Sequence, residues 1–236
     1  MATVVISLGG SLMIKHRDVG ANTVSEGLDT KYIADIAKLL LKMSRRHRLI
    51  VTCGGGAICR QYQAAVMELG GSAFAADEAG IQTTRANAML LAAALGDRAW
   101  PAIPGCLDSA APALASDRVL VMGGTSPGHS TDTVAALLAE KIGADRLVNI
   151  SHLGPIYSAD PRTSRLAHKI GRLSHGQLVH MAAEHDKRRP GEHFIFDALA
   201  AKIAQRSKIE LHFVSGELDQ IQAAIEGRKH SGSIVR

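Results

Sequence analysis

Short runs of β-branched and aliphatic residues alternate along this chain with longer segments rich in alanine and leucine. Such alternation is typical of βαβ units, in which helices connect parallel strands and pack on the faces of the sheet. We therefore predict an α/β fold with a mainly parallel sheet. The predicted strands are residues 4–8, 49–52, 119–122, 147–150 and 210–214, and the predicted helices are residues 30–46, 57–69, 83–95, 131–142, 197–206 and 218–225.

Composition restricts the class of function. Aromatic residues make up only 3% of the chain, so stacking platforms for single-stranded nucleic acid are not expected. The formal net charge of +5 fits an anionic ligand. The three cysteines form no CxxC pair, and no apolar run approaches the roughly 18 residues of a membrane span. We expect a cytoplasmic protein without a membrane segment, folded over residues 1–236 as a single domain.

Three glycine-rich stretches each follow a predicted strand, at residues 9–11, 54–56 and 123–131. In an open α/β sheet, ligands bind beyond the carboxyl ends of the strands, where glycines let backbone N–H groups approach phosphate oxygens. One such stretch is equally well explained by a tight turn, but three in one chain favour a phosphate site. Neither GxGxxG nor GxxxxGK[ST] occurs, so the predicted site is neither a Rossmann fingerprint nor a P-loop.

These loops and several shorter stretches resemble the amino acid kinase superfamily and, within it, the archaeal-type uridylate (UMP) kinases. The matching stretches are residues 6–11, 54–56 with Arg60, 80–90, 123–132, 157–161 and 197–203 with 206–207. The resemblance implies a three-layer αβα sandwich that transfers the γ-phosphoryl group of ATP to UMP, giving UDP. It also implies a UMP side in about the first half of the chain and an ATP side in about the second, divided near residue 120.

The same resemblance implies the site residues. Asp132 and Arg60 are the implied catalytic residues. Mg²⁺ is expected to arrive on the nucleotide, without a metal cage built by the protein. The resemblance also implies that copies of the chain assemble into a hexamer. Neither nucleic acid nor a membrane is an expected partner. The implied ATP-binding residues are Gly10, Ser11, Gly56, Arg60, Ser151, His152, Tyr157 and Asp160, and the implied UMP-binding residues are Gly55, Asp77, Thr125, Ser126, Pro127, Gly128, His129, Ser130 and Thr131.

Several of these residues also have a simple structural interpretation. Asp77 fits either a ribose ligand or an acidic residue that stabilises the dipole at a helix N-terminus. Asp132 fits equally well a catalytic role and the start of the predicted helix 131–142. Arg60 follows a triple glycine closely, which favours a bidentate phosphate contact over an ordinary surface position. His129 fits a phosphate donor or a loop-packing residue, and the family match favours the donor.

Two positions depart from the family pattern. Many members carry a lysine in the first strand, just before the glycines, where this chain has Ser7; Lys15 and Arg60 are the candidate replacements for that charge. On the ATP side, Gly154 and Pro155 stand where an Asp-Gly pair is usual, and proline fixes φ and removes a donor. Two alternatives therefore stay open: a kinase for another phosphorylated acceptor, and a protein that binds a nucleotide or anion without turnover.

Residues 162–189 form a strongly basic stretch, with seven basic and two acidic side chains. A solvated face is the simpler interpretation, and a flap that meets nucleotide phosphates is the alternative. Histidines are also frequent here, and we predict that they are exposed to solvent and do not bind metal. Four of them lie in this stretch and one lies just after it: His168, His175, His180, His185 and His193.

Overall fold

The structure is a computed structural model that describes residues 1–19, 22–161, 163–185 and 196–236. Within these ranges the strands are β1 (Thr3–Leu8), β2 (Ile14–Val19), β3 (Asn22–Leu28), β4 (Arg48–Cys53), β5 (Leu120–Met122), β6 (Arg146–Ile150), β7 (Arg172–Leu173), β8 (Leu211–Val214) and β9 (Ser233–Val235). The helices are α1 (Thr30–Met43), α2 (Gly56–Glu68), α3 (Ala73–Leu95), α4 (Ala111–Leu114), α5 (Thr131–Ile142), α6 (His175–His185), α7 (Ala198–Arg206) and α8 (Leu218–Ile225).

The main sheet of the described chain has the strand order β5-β4-β1-β6-β8-β9-β7. The first five of these strands run parallel to one another, whereas β9 is antiparallel to β8. Strands β2 and β3 form a separate antiparallel hairpin. The predicted α/β class with a mainly parallel sheet is therefore confirmed.

The central strand β1 is buried on both faces, which explains its continuous aliphatic run. Val4, Ile6 and Leu8 pack in one core cluster with residues of α1, α3 and α8. Val5 points the other way, into a second cluster with residues of α5, α6 and α7. The sheet thus lies between two helical layers, as the three-layer prediction required.

Helix α3 differs most from its predicted bounds. It begins at Ala73 rather than at residue 83, because the Ser72 side chain caps it by accepting a hydrogen bond from Ala75 N at 3.2 Å. The helix continues through Gly80. A Cβ at this position would lie 2.9 Å from Gln63 Nε2 of α2. The glycine therefore allows close packing of α2 and α3. No helix in the described ranges is both long and apolar enough to cross a membrane.

Other differences are smaller or concern elements with weak local patterns. Helix α1 ends at Met43 rather than at residue 46, and Ser44 forms its C-cap. The sequence prediction missed the β2–β3 hairpin, α4, α6, β7 and β9. Two of these strands are only two or three residues long and are stabilised by pairing with β8 and with each other, which a local pattern does not record.

Two histidines near the C-terminal strand β9 form a hydrogen-bonded pair, which we call the histidine relay. His212 of β8 is only 1% exposed, and its Nδ1 lies 2.7 Å from His230 Nε2. On its other side, His212 Nε2 lies 2.7 Å from Glu210 Oε1. His230 Nδ1 accepts the Gly232 N–H at 3.1 Å, so His230 donates through Nε2 and both imidazoles are neutral.

Burial and the neighbouring His212 lower the pKa of His230 from 6.5 to about 4. Burial also lowers the pKa of His212, assisted by Arg146 and Arg236 and opposed by Glu210. A depressed histidine pKa means that the neutral form is favoured in the folded state. The resulting stability is present above the unfolded-state pKa of 6.5 and is lost as the pH falls towards about 4.

We expect the free energy of unfolding to fall between pH 7 and pH 5 by less in His230→Gln than in the wild-type chain. Glutamine still donates to His212 but does not titrate. Urea denaturation at both pH values measures the difference. The matched control is His180→Gln on α6, where the imidazole is 76% exposed; an equal effect of both substitutions would contradict the relay.

Candidate active site

The loops that follow β1 and β4 are in direct backbone contact. A Cβ added to Gly10 would collide with Gly54 O and Gly56 N, and one added to Gly56 would lie 2.6 Å from Gly10 O. Gly56 also has a φ of +66°, which disfavours a side chain. These two glycine loops therefore interlock at the carboxyl ends of adjacent parallel strands, where the sequence predicted a phosphate site.

Helix α3 fastens the second and third loops to each other. Asn87 Nδ2 donates to Gly54 O at 2.8 Å and to Gly55 O at 3.3 Å. Thr84 Oγ1 accepts the Gly124 N–H at 2.7 Å. Both side chains are buried. Helix α3 therefore supports the second and third loops directly and the first loop through its contact with the second. The sequence prediction assigned no role to Thr84 or Asn87.

Arg85, on the same helix, braces the third loop from its other side. Its Nε donates to Gly124 O at 3.2 Å, and its second terminal nitrogen donates to Gly105 O at 2.9 Å. The sequence did carry a signal for this group. Polar side chains at positions 84, 85 and 87 of a mostly apolar helix indicate partners that the helix itself does not supply.

Asp77 lies in the second turn of α3 and contacts the tip of the third loop. Its Oδ2 accepts the Gly128 N–H at 2.8 Å, and its Oδ1 accepts a longer bond of 3.4 Å from Gln63 Nε2. The helix begins at Ala73, and its first turn contains no acidic residue. The interpretation of Asp77 as a helix N-terminal charge is therefore wrong, and its bond to Gly128 places it beside the loop 123–131.

The tip of the third loop is open to solvent. Ser126, Gly128 and His129 are exposed, while Thr125 and Pro127 are half-buried. The loop turns through a bond of 3.1 Å from His129 N to Ser126 O. Its exposed groups can therefore reach a ligand, as the prediction for a nucleotide-binding loop requires.

The Ser130 side chain, at the end of this loop, forms hydrogen bonds that connect two helices. Its Oγ caps α5 by accepting the Thr133 N–H at 3.0 Å, and it donates to Asp197 Oδ2 at 2.5 Å. Thr133 Oγ1 donates to the other oxygen of Asp197 at 2.8 Å. Asp197 in turn caps α7. Ser130 thus joins α5 to α7, and Thr131 follows it as the first residue of α5.

Asp132 lies in the first turn of α5 and reaches the central strand of the sheet. Ser7 Oγ donates to Asp132 Oδ1 at 2.6 Å, and Asn149 Nδ2 donates to the same oxygen at 2.8 Å. Ser7 is only 2% exposed. At the position where many superfamily members are expected to carry a lysine, this chain therefore has a hydroxyl that binds the candidate catalytic carboxylate.

The two candidate cations differ in position. Arg60 is exposed on α2, one turn after Gly56, and its side chain makes no hydrogen bond or ion pair with another described residue. Lys15 is exposed at the start of β2, which follows the first glycine loop through the 3-10 turn Gly10–Met13. The guanidinium of Arg60 is thus available at the end of the sheet where the loops meet.

The predicted ATP residues after β6 lie in a tightly turned segment. Ser151 Oγ accepts the Gly154 N–H at 3.1 Å, and Gly154 has a φ of +70°. A Cβ there would lie 2.8 Å from Ser215 N. The Gly154-Pro155 pair therefore forms a sharp turn that requires glycine at its first position.

Further along this segment, Tyr157 pairs with Lys169 in an isolated antiparallel bridge. Tyr157 and Asp160 are half-buried and His152 is exposed. Asp160 O accepts the Ser164 N–H at 2.8 Å, which closes the next turn. These residues share one surface segment beyond the carboxyl end of β6, as the prediction placed them.

The basic stretch 162–189 lies only partly within the described residues. His168 and His180 are exposed, as predicted, and His180 pairs with Glu184 at 3.4 Å. His175 instead is half-buried, with its Nε2 at 2.8 Å from Ile209 O. Outside the described residues lie Arg162, Lys187, Arg188, Arg189 and His193, together with the side chain of His185.

A scan against protein families identifies the class to which this fold and loop arrangement belong. The model of the amino acid kinase family matches residues 2–215, and the chain belongs to that family. The predicted resemblance is therefore confirmed.

Within the family, the chain is similar to uridylate kinases. A uridylate kinase from Thermococcus kodakarensis is 39% identical over 234 residues, covering 98% of each chain. The crystal structure of a uridylate kinase from Archaeoglobus fulgidus matches with a TM-score of 0.85 at 37% identity, covering 100% of both chains. The UMP kinase of Bacillus anthracis, at 19% identity and a TM-score of 0.76, supports the fold alone.

We expect Gly10→Ala to destabilise the protein by about 1–3 kcal/mol or more, because the added methyl group forces the two interlocked loops apart. The free energy of unfolding in urea measures this cost. Gly171→Ala is the matched control, since a Cβ at Gly171 would have no atom within 4 Å, and we expect a change within about 0.5 kcal/mol. Equal stability of the two variants would contradict the interlock.

Proposed function

We propose that the protein is a uridylate kinase, which transfers the γ-phosphoryl group of ATP to UMP and releases UDP and ADP. The observation that carries this proposal is the meeting of three glycine loops on α3, beside a carboxylate held at the N-terminus of α5. Relatives that bear the name uridylate kinase, 36–39% identical over 98% of the chain, support the same activity.

Phosphoryl transfer depends mainly on positioning and on neutralising charge. In the proposed site, the interlocked loops after β1 and β4 offer backbone N–H groups without side chains between them and the phosphates. Helix α2 begins at Gly56 and presents the positive end of its dipole to the same place. Arg60, one turn further, supplies the bidentate cation. ATP phosphates therefore bind around Gly10, Ser11, Gly56 and Arg60.

UMP binds between the third loop and α3 in this proposal. Residues 125–131 wrap the uracil and its phosphate, with the exposed side chains of Ser126 and His129 as the donors. Asp77 holds the loop through Gly128, and its Oδ1, which has the longer bond to Gln63, accepts a ribose hydroxyl. A carboxylate with two oxygens can satisfy both partners.

The base and ribose of ATP occupy the segment after β6, at Ser151, His152, Tyr157 and Asp160. In the proposal, Mg²⁺ enters this site as an ion carried by the phosphates of ATP. When bound, the ion neutralises charge on the phosphate oxygens. Asp132 orients the cationic groups around the transferred phosphoryl group.

Three further features are a cytoplasmic location, assembly into a hexamer, and the division of one domain near residue 120 into UMP and ATP sides. The first rests on the cysteine pattern, and the other two rest on the resemblance. They stay predictions.

We expect ADP release from ATP and Mg²⁺ to be fastest with UMP in a panel of nucleoside monophosphates and small phosphorylated acids, measured by a coupled assay. Faster turnover of another acceptor would favour the alternative kinase. Binding of UMP without any turnover would favour the non-catalytic alternative.

We expect Asp132→Asn to lower kcat by about a hundredfold, a typical loss for an electrostatic group near the reacting atoms. The KM values for UMP and ATP should change little, since the carboxylate does not bind either base or ribose. Steady-state kinetics separate the two constants. Asp97→Asn, an exposed carboxylate after α3, is the control. A kcat equal to that of the control would mean that Asp132 has no role in phosphoryl transfer.

We expect Asp77→Asn to raise the KM for UMP about tenfold, which corresponds to about 1.4 kcal/mol of binding energy, while the KM for ATP stays nearly constant. Glu78→Gln, its exposed neighbour on α3, should leave both constants unchanged. Equal weakening of UMP and ATP would mean that Asp77 supports helix α3 rather than the UMP site.

A further inference from the structure

A row of three buried polar side chains crosses the centre of the sheet under the N-terminus of α5. Thr52 of β4, Ser7 of β1 and Asn149 of β6 are partners in the strand register. They are 0%, 2% and 5% exposed, respectively. Burying a polar group costs free energy unless it is hydrogen bonded, so a row of this kind requires a specific partner.

The partner of the row is the first turn of α5. Ser7 Oγ and Asn149 Nδ2 both donate to Asp132 Oδ1, at 2.6 and 2.8 Å. Thr52 Oγ1 lies 3.4 Å from the carbonyl oxygen of Thr131. The polar row therefore connects three neighbouring strands to Thr131 and Asp132, the first two residues of α5.

We propose that Asn149 is a positioning residue for Asp132 and, through it, for phosphoryl transfer; this inference rests on the proposed kinase function. Two donors from two different strands act on one carboxylate oxygen, which fixes its direction better than either donor alone. The glycine loop 9–11 follows β1, and the nucleotide segment 151–157 follows β6. Asn149 and Ser7 thus hold the carboxylate in register with two parts of the phosphate site.

The presence of asparagine at position 149 supports a role in activity. Asparagine is unfavourable in the interior of a strand, and an aliphatic side chain of similar volume would bury more apolar surface there. The neighbouring residues of β6 follow that rule, since Leu147, Val148 and Ile150 are all fully buried. A side chain that costs stability at a central strand and contacts a candidate catalytic carboxylate is typical of a residue kept for activity.

The experiment compares the steady-state kinetics of Asn149→Leu with those of the wild-type protein, using UMP, ATP and Mg²⁺. We expect kcat to fall about tenfold, as for the loss of one hydrogen bond to a charged group. The KM values for both nucleotides should stay within about twofold, and stability in urea should be equal or higher. If Asn149→Leu does not fold, Asn149→Ala removes the same donor without added bulk.

The same substitution is then made in the Asp132→Asn background. If Asn149 acts through Asp132, it should there lower kcat by less than about twofold, because the group that it positions has already been removed. A purely structural role would cause the same loss in both backgrounds. Val148→Ala, on the same strand but packed in the opposite core cluster, is the stability control and should lower the free energy of unfolding without lowering kcat.

The outcomes are distinct. An unchanged kcat in Asn149→Leu, a loss confined to KM, or an equal loss in both backgrounds would overturn the positioning role while leaving the kinase function intact. A wild-type protein that does not turn over UMP would overturn the proposed function, and the inference with it. A tenfold loss of kcat that disappears in the Asp132→Asn background would establish the role.

Discussion

The backbone contact between the loops after β1 and β4 is the constraint on which the rest of the site depends. Gly10 lies against Gly54 and Gly56 so closely that any Cβ at Gly10 would collide. Because these loops end adjacent parallel strands, their contact determines where backbone N–H groups converge. Asn87 then attaches the second loop to α3, and Thr84 attaches the third. A phosphate site results from strand order, helix packing and the absence of side chains.

The described part of the candidate site has neutral donors beside its half-buried carboxylate. A hydroxyl at Ser7 and an amide at Asn149 hold Asp132. Many kinases of the superfamily are expected to carry a lysine at the position of Ser7. Neutral donors orient a carboxylate but do not offset the charge of the phosphates. In the proposed mechanism that charge is therefore met by Arg60, by the N-termini of α2 and α5, and by the ion carried on the nucleotide.

Local patterns predicted the elements with strong periodicity and missed those that depend on distant partners. The run at β1 and the helix from Thr131 to Ile142 were predicted within a residue or two. Helix α3 was predicted ten residues too short, because the glycine at Gly80 resembles a break until α2 is seen packed against it. Likewise, β9 forms because it pairs with β8, and nothing in its three residues records that pairing.

By itself, the sequence determined the fold class, the three glycine loops and the family, because each of these depends on residue types at short spacing. Only the tertiary structure decided how the loops meet, that Asp77 contacts Gly128, and that Ser7 and Asn149 share one oxygen of Asp132. The physical reason is that these contacts join residues far apart in the chain. They are set by strand register and helix packing, which involve all the elements together.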